Sequence, residues 1–167
     1  MIKIAICDDM PEQLAKMNAY IEEYMIQNGL CAEIRQFLHP DRLLCAVQEE
    51  IFQLCVLDIV MPMVNGIELG KEIRRIDREV QIIYITTEPQ FALQTYVANP
   101  VNYLIKPIDK EQLFQTLTFA FLKIDRTKEV EFCVKTAQGL RVLYLSELLY
   151  LEYCNQSNNQ TSKAKLL

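Results

Sequence analysis

Glycine is scarce in this 167-residue sequence, with only Gly29, Gly66, Gly70 and Gly139. None of them builds a Gly-rich loop of the kind that cradles a nucleotide or flavin phosphate chain, which argues against binding of those cofactors. Histidine is scarcer still. His39, the single one, stands before Pro40 in a stretch that reads as a loop, so the usual zinc sets are missing. The six cysteines (Cys7, Cys31, Cys45, Cys55, Cys133, Cys154) form no CxxC pair and lie among apolar neighbours. They are expected to be reduced core thiols of a cytosolic protein rather than a disulfide framework. No apolar run approaches the roughly 18 residues needed to cross a bilayer, so no membrane partner is expected. The opening "MIKIAIC" lacks the long apolar centre and small-residue cleavage site of a signal peptide.

What is present is a globular composition, 51% hydrophobic and 23% charged. The length allows one ordinary domain with a proper core and a remainder too short for a second full domain. Charge divides along the same line. Residues 1–125 hold 11 Lys+Arg against 18 Asp+Glu, net −7, while 126–167 hold 6 against 4, net +2. The two parts are expected to meet different partners.

Apolar runs of strand length alternate five times with stretches of helical period. The strands are "IKIAIC" (2–7), "AEIRQF" (32–37), "LCVLD" (54–58), "QIIYIT" (81–86) and "NYLIK" (102–106). The first helix has Leu14, Met17, Ile21 and Met25 on one face, Pro11 at its first position and Gly29 near its end. The others are expected over 41–50, 66–77, 89–97 and 109–124, the last capped by Asp109. Strict alternation implies an α/β fold, a parallel sheet covered by helices on both faces through right-handed crossovers. Four of the five strands are almost wholly apolar, as strands buried on both faces should be.

In an open parallel sheet, ligands bind beyond the carboxyl ends of the strands. The first run here ends in Asp8 and Asp9, the third in Asp58, the fourth in Thr86 and Thr87, the fifth in Lys106. A single acid at a strand end is usually a turn former or helix cap. An acidic pair, an acid, a hydroxyl and a lysine closing four strands on one edge are a different matter. Three converging carboxylates repel one another by about 4 kcal/mol per close pair at an effective dielectric of 20, so something positive must compensate. A hard divalent cation such as Mg²⁺ suits an all-oxygen site. Asp58 as nucleophile, a metal, Lys106 as a compact positive charge and the Thr86 hydroxyl suffice for phosphoryl transfer.

On these residues the sequence resembles the response-regulator receiver domain of two-component signalling, over residues 1–124. "CDD" carries the metal-binding acids Asp8 and Asp9, "LDIVMPMVNG" the phosphoacceptor loop with Asp58, "YITT" the switch hydroxyl Thr86, and "YLIKP" Lys106 with the rotating aromatic Tyr103. The resemblance implies a flavodoxin-like (βα)5 fold and Mg²⁺ as cofactor, with the backbone carbonyl of Val60 completing its shell. It further implies a Lys106–Pro107 bond that can be cis, a sensor histidine kinase as phosphoryl donor, and no enzymatic turnover beyond self-phosphorylation and slow self-dephosphorylation. Thr87 stands where the family usually has a smaller residue, which would slow access to the phosphate. An inward move of Thr86 followed by Tyr103 would remodel the 89–124 face, expected as a homodimer surface, with Phe91 and Tyr96 as candidate contacts.

After a linker at 125–129 the pattern changes to short strands, "VEFCVKT", "LRVLYL" and "LLYLEY", without intervening helices. Residues 130–154 resemble the opening of a LytTR-type DNA-binding domain, so the chain is expected to be a fragment of a longer transcriptional regulator whose full-length form binds DNA. Its last residues, 155–167, are polar and without period, and are expected to be disordered. The rival enzyme reading is a phosphatase with an aspartyl-phosphate intermediate. Such enzymes usually place two acids one residue apart after the first strand, whereas Asp8 and Asp9 are adjacent and Asp58 follows the third strand.

Overall fold

The computed structural model describes residues 2–62 and 65–124 with their side chains, and beyond them the backbone of 125–127, 131–136, 139–144, 148–156 and 159–166. The chain divides into two units, residues 1–125 and 126–167.

In the first unit, strands β1 (Ile2–Cys7), β2 (Ala32–Phe37), β3 (Leu54–Leu57), β4 (Gln81–Thr86) and β5 (Asn102–Ile105) form one parallel sheet in the order β2-β1-β3-β4-β5. Helices α1 (Pro11–Gln27), α2 (Pro40–Glu49), α3 (Gly66–Ile76), α4 (Ala92–Thr95) and α5 (Lys110–Thr127) make the crossovers. Alternate residues of each strand feed two separate cores, as the two-residue repeat of a strand requires. Ile4, Ile6, Leu54, Val56, Ile83 and Ile85 pack with α1 and α5 through Met17, Ile21, Leu113 and Leu117. Ala5, Cys7, Cys55, Leu57, Ile82 and Tyr84 pack with α2 and α3 through Leu43, Leu69 and Ile73. Each buried Leu, Ile, Val or Met among them contributes about 1.5–3 kcal/mol by leaving water, which holds the sheet and therefore the geometry at its edge.

Helix termini follow local chemistry. Pro11 and Pro40 sit in the first turns of α1 and α2, where a missing N–H leaves nothing unsatisfied. Gly29, at φ +63°, adopts the left-handed conformation just past α1. The Asp109 carboxylate accepts the Gln112 N–H at 2.7 Å, the expected cap of α5.

Three expectations need correction. The helix expected over 89–97 is broken into a 3₁₀ turn (Pro89–Phe91), the single turn α4 and a second 3₁₀ turn (Tyr96–Ala98), ending at Asn99 with φ 46°. This segment buries little more than Thr95 and Ala98 and leaves Leu93, Tyr96 and Val97 exposed, so no apolar stripe holds it in a regular helix. The Thr95 hydroxyl also donates to the Ala92 carbonyl, competing with the helical ladder. The second correction concerns the linker expected at 125–129. Helix α5 runs through Thr127, since adding a residue to a formed helix costs far less than starting one, and 128–130 lie outside the described residues. The third concerns the tail.

In the second unit, β6 (Glu131–Thr136) pairs antiparallel with β7 (Gly139–Tyr144), and β8 (Leu148–Gln156) with β9 (Asn159–Leu166). Within the stretch 155–167, expected to be disordered, the described residues 155–156 close β8 and 159–166 form β9. Strand pairing satisfies backbone groups whatever the side chains, and a polar strand needs no apolar period once β8 offers its edge.

Candidate functional site

The carboxyl ends of β1, β3, β4 and β5 bring the sequence-selected side chains together. Asp8 follows β1 and Asp58 follows β3, both buried. Neighbouring strands set their spacing, as the Asp58 N–H donates to the Cys7 carbonyl at 2.9 Å and the Asp8 N–H to the Phe37 carbonyl at 3.1 Å. Lys106 follows β5, its N–H held by the Thr86 carbonyl at 2.8 Å. From there its side chain reaches between the acids, with Nζ 2.6 Å from Asp8 Oδ2 and 2.7 Å from Asp58 Oδ2. Asp9 completes the group. Carboxylate oxygens of Asp8, Asp9 and Asp58 all lie within 4.8 Å of one another.

The remaining oxygens are held by backbone donors. Asp58 Oδ1 accepts the N–H of Ile59 at 2.6 Å and of Val60 at 3.2 Å, and Asp8 Oδ1 accepts the Met10 N–H at 2.9 Å. Both carboxylates are therefore fixed in rotation before any ligand arrives. Burial raises the Asp8 pKa above its ordinary value even though Lys106 and the Met10 N–H favour its charged form. Burial also works against the Lys106 ammonium, but hydrogen bonds and charge from Asp58 and Asp8 outweigh it and leave its pKa above that of a free lysine. Cys7, next in the chain to Asp8, is pushed up to about 12 by burial and by the negative charge of Asp8, Asp58 and Asp9.

Fully ionised, three carboxylates and one ammonium carry a formal charge of −2, the complement of one divalent cation. The three oxygens are also near enough to share one ion. Ligands of an octahedral cation with bonds of about 2.1 Å lie about 3.0 Å apart when adjacent and about 4.2 Å when opposite, so the three acids would draw together on binding it.

Thr86 is buried at the end of β4, where its hydroxyl accepts the Glu88 N–H at 3.4 Å. Tyr103 on β5 is half-buried and its hydroxyl donates to the Glu88 carbonyl. One loop residue thus bonds to both groups. Burial raises the Tyr103 pKa, as do the charges of Glu88 and Asp58. Val60 is 47% exposed and meets the site through its backbone, and Thr87 is exposed. The Lys106–Pro107 peptide is cis. Phe91 and Tyr96 part company, Phe91 packing against the α2/α3 core while Tyr96 is 75% exposed.

Two glycines matter more than their sequence context suggested. A Cβ on Gly66 would lie 1.9 Å from the Asp58 carbonyl oxygen, so only glycine lets α3 begin directly against the loop that follows β3. The Gly66 N–H donates to the Ile59 carbonyl at 3.0 Å, closing that loop. A Cβ on Gly70, one turn later, would lie 1.8 Å from the hydroxyl of Tyr84 on β4. The four-residue spacing of these glycines is the signal that α3 lies close upon the sheet.

Comparison with known proteins agrees with this geometry. Residues 4–118 match the response regulator receiver domain, and the chain belongs to that family. It is a receiver domain of two-component systems with the CheY-like fold. Among curated relatives, the sensory transduction protein LytR of Staphylococcus epidermidis is 28% identical over 128 residues, covering 76% of this chain and 49% of the relative. The chain spans about half the length of the curated relatives it matches. Among solved structures, the BeF3-activated DrrB receiver domain is 26% identical with a TM-score of 0.60, covering 73% of this chain and 98% of that one. TrrA of Thermotoga maritima, solved in complex with Mg(2+)-BeF, has a TM-score of 0.63 at 22% identity, covering 72% of this chain and 99% of that one.

Proposed function

We propose that Asp58 accepts a phosphoryl group from a sensor histidine kinase and that the receiver passes this event on as a change of surface. The observation that carries the reading is the Lys106 ammonium seated between Asp8 and Asp58, with Asp9 in the same cluster of oxygens. An Asp58 carboxylate oxygen bonds to phosphorus while the P–N bond of the donor phosphohistidine breaks, its electron pair remaining on the imidazole nitrogen. Asp8, Asp9, Asp58 and the backbone carbonyl of Val60 would hold Mg²⁺, which when bound neutralises charge on the phosphoryl oxygens. Lys106 supplies a further positive charge and keeps Asp58 oriented meanwhile. The Ile59 and Val60 N–H groups fix the carboxylate plane, so little reorganisation stands between encounter and transfer.

Transfer adds charge beside Thr86, whose hydroxyl turns toward the new oxygens and releases the Glu88 N–H. Tyr103, bonded to the carbonyl of that same residue, follows. A switch from about 1:99 to 99:1 takes roughly 5.5 kcal/mol, more than one hydrogen bond provides, so repacking of Tyr103 and the 89–98 segment must supply the rest. Leu93, Tyr96, Val97, Phe119 and Leu122 are exposed on the 89–124 face, which supports a second copy of this chain as the partner gained. Transcription control through a LytTR-type domain, begun in this chain at 130–154 behind a receiver of 1–124, is the output we assign to the full-length regulator. DNA is its partner there, and the cytoplasm its location. No described helix is long and apolar enough to cross a membrane.

The test is the intact mass of the protein after incubation with acetyl phosphate and Mg²⁺, beside Asp58→Asn. One phosphoryl adduct on the wild type and none on the variant is the expected result. No adduct, or an equal adduct on both, overturns the assignment, and sustained turnover of a small phosphoester transfers it to the phosphatase class.

A further inference from the structure

Four of the eleven cationic residues in positions 1–125 gather at one place, away from the acidic edge of the sheet. Lys71, Arg74, Arg75 and Arg78, spaced along α3 and just past its end, line a groove of about 440 Å³ together with Val97 of the 3₁₀ turn after α4. The unit that carries them is net acidic, so their grouping is not the composition of the surface at large.

The groove is partly organised already. Arg74 Nε donates to the Ala98 carbonyl at 3.0 Å, Nη1 to the Arg78 carbonyl at 2.5 Å and Nη2 to the Asn99 carbonyl at 3.4 Å. These bonds fix the guanidinium plane and use three of its five donors, leaving two for a ligand. Lys71 and Arg75 pair with Glu68 at 2.6 Å and Glu72 at 2.5 Å, but these are exposed one-turn pairs of the kind worth little in water. An incoming carboxylate can displace them at small cost. Arg78 is exposed and makes no ion pair among the described residues. On the far wall Val97 is 70% exposed, with Tyr96 and Leu93 exposed beside it.

We propose that the α3 groove binds an acidic polypeptide segment of a partner protein, one that sets Asp or Glu side chains on Arg74, Arg75 and Arg78 and an apolar side chain on Val97. A nucleic acid fits less well. Duplex DNA carries a charge every 1.7 Å or so, and a track across this groove would meet Glu68, Glu72, Asp77 and Glu79 in the same stretch of chain. A peptide can place its charges selectively and use the apolar wall, and the groove is of a size for a few side chains. The four cations take no part in the Asp58 site, while Val97 is shared with the 89–124 face assigned above to a second copy of this chain, so a peptide in the groove competes with that copy there.

The experiment is fluorescence anisotropy with the full chain and a labelled peptide, Asp-Glu-Leu-Asp-Glu-Leu-Leu-Glu-Asp. The expected result is saturable binding at about 50 mM salt that weakens at about 300 mM, with a loss of about tenfold in the double variant Arg75→Glu/Arg78→Glu. Val97→Asp should weaken binding with every arginine intact, which keeps the test decisive where the double variant fails to give a cooperative melt. The proposal is overturned by absence of saturation, by equal affinity of wild type and Val97→Asp, by equal competition from a Ser-for-Leu peptide or from pyrophosphate, or by tighter binding of a short DNA duplex.

Discussion

The Lys106 ammonium lies 2.7 Å from Asp58 Oδ2, joining the ends of β5 and β3 across 48 residues of chain. Both groups are buried, so the pair is not the weak kind found on surfaces. Removing the cation leaves Asp58 and Asp8 facing each other with no positive neighbour. Lys106→Met is expected to lose about 3 kcal/mol of stability in metal-free buffer, measured by urea unfolding, with part of the loss restored by millimolar Mg²⁺. The raised Lys106 pKa fixes the pH range of its contribution. That stability is fully present below the unfolded value of 10.5 and disappears as pH rises through the higher folded value.

Asp8 follows the same sign at the acid end of the scale. Its folded pKa is raised above 3.8, so the folded chain binds this proton more tightly than the unfolded chain. Its favourable contribution is present below pH 3.8 and is lost as pH climbs through the folded value. Asp8→Asn removes the titration, and at neutral pH also removes one carboxylate from a crowded site. In buffer with a chelator the variant is expected to melt several degrees above the wild type near pH 7, with the difference shrinking on acidification. Mg²⁺ should raise the melting temperature of the wild type and not of the variant.

Tyr84 is wholly buried and its hydroxyl has no hydrogen-bond partner among the described residues. Removing a partnerless buried hydroxyl costs little, so Tyr84→Phe is expected to be neutral or mildly stabilising. Gly70→Ala forces a methyl against that hydroxyl and should cost about 1–3 kcal/mol. Combined, the two changes should cost less than Gly70→Ala alone, a coupling that denaturant unfolding of all four proteins reads directly.

Thiol labelling separates the cysteines of the first unit. Cys31 and Cys45 are exposed, while Cys7 and Cys55 are buried with raised pKa values, that of Cys7 to about 12. At pH 8, brief treatment with iodoacetamide should modify Cys31 and Cys45 and spare Cys7 and Cys55 until denaturant is added, as read by peptide mass spectrometry.

How much of this was legible in advance depends on where each fact resides. The sheet was legible because four of its five strands are short apolar runs, and burial on both faces needs no partner to be known. The site was legible because strand ends are sequence positions, so Asp8, Asp9, Asp58, Thr86 and Lys106 could be placed on one edge without coordinates. Segment 89–98 was misjudged because its apolar residues have helical spacing yet mostly face solvent, and spacing alone cannot tell a buried stripe from an exposed one. Strand β9 was missed because its reason for being a strand is β8. Gly66 and Gly70 went unweighted because close approach is a property of two segments, visible only once α3 lies on Asp58 and Tyr84.

Tyr84 and Thr86 stand two residues apart on β4, on the same side of the sheet, and the lower of the two is wedged beneath a helix that has no room above it. That wedge makes the strand a fixed post. In the proposed switch, motion prompted at the Thr86 hydroxyl would find no give behind it and would be turned outward, toward the mostly exposed 87–90 stretch. In that reading the absence of one methyl group at Gly70 sets the place of the fulcrum.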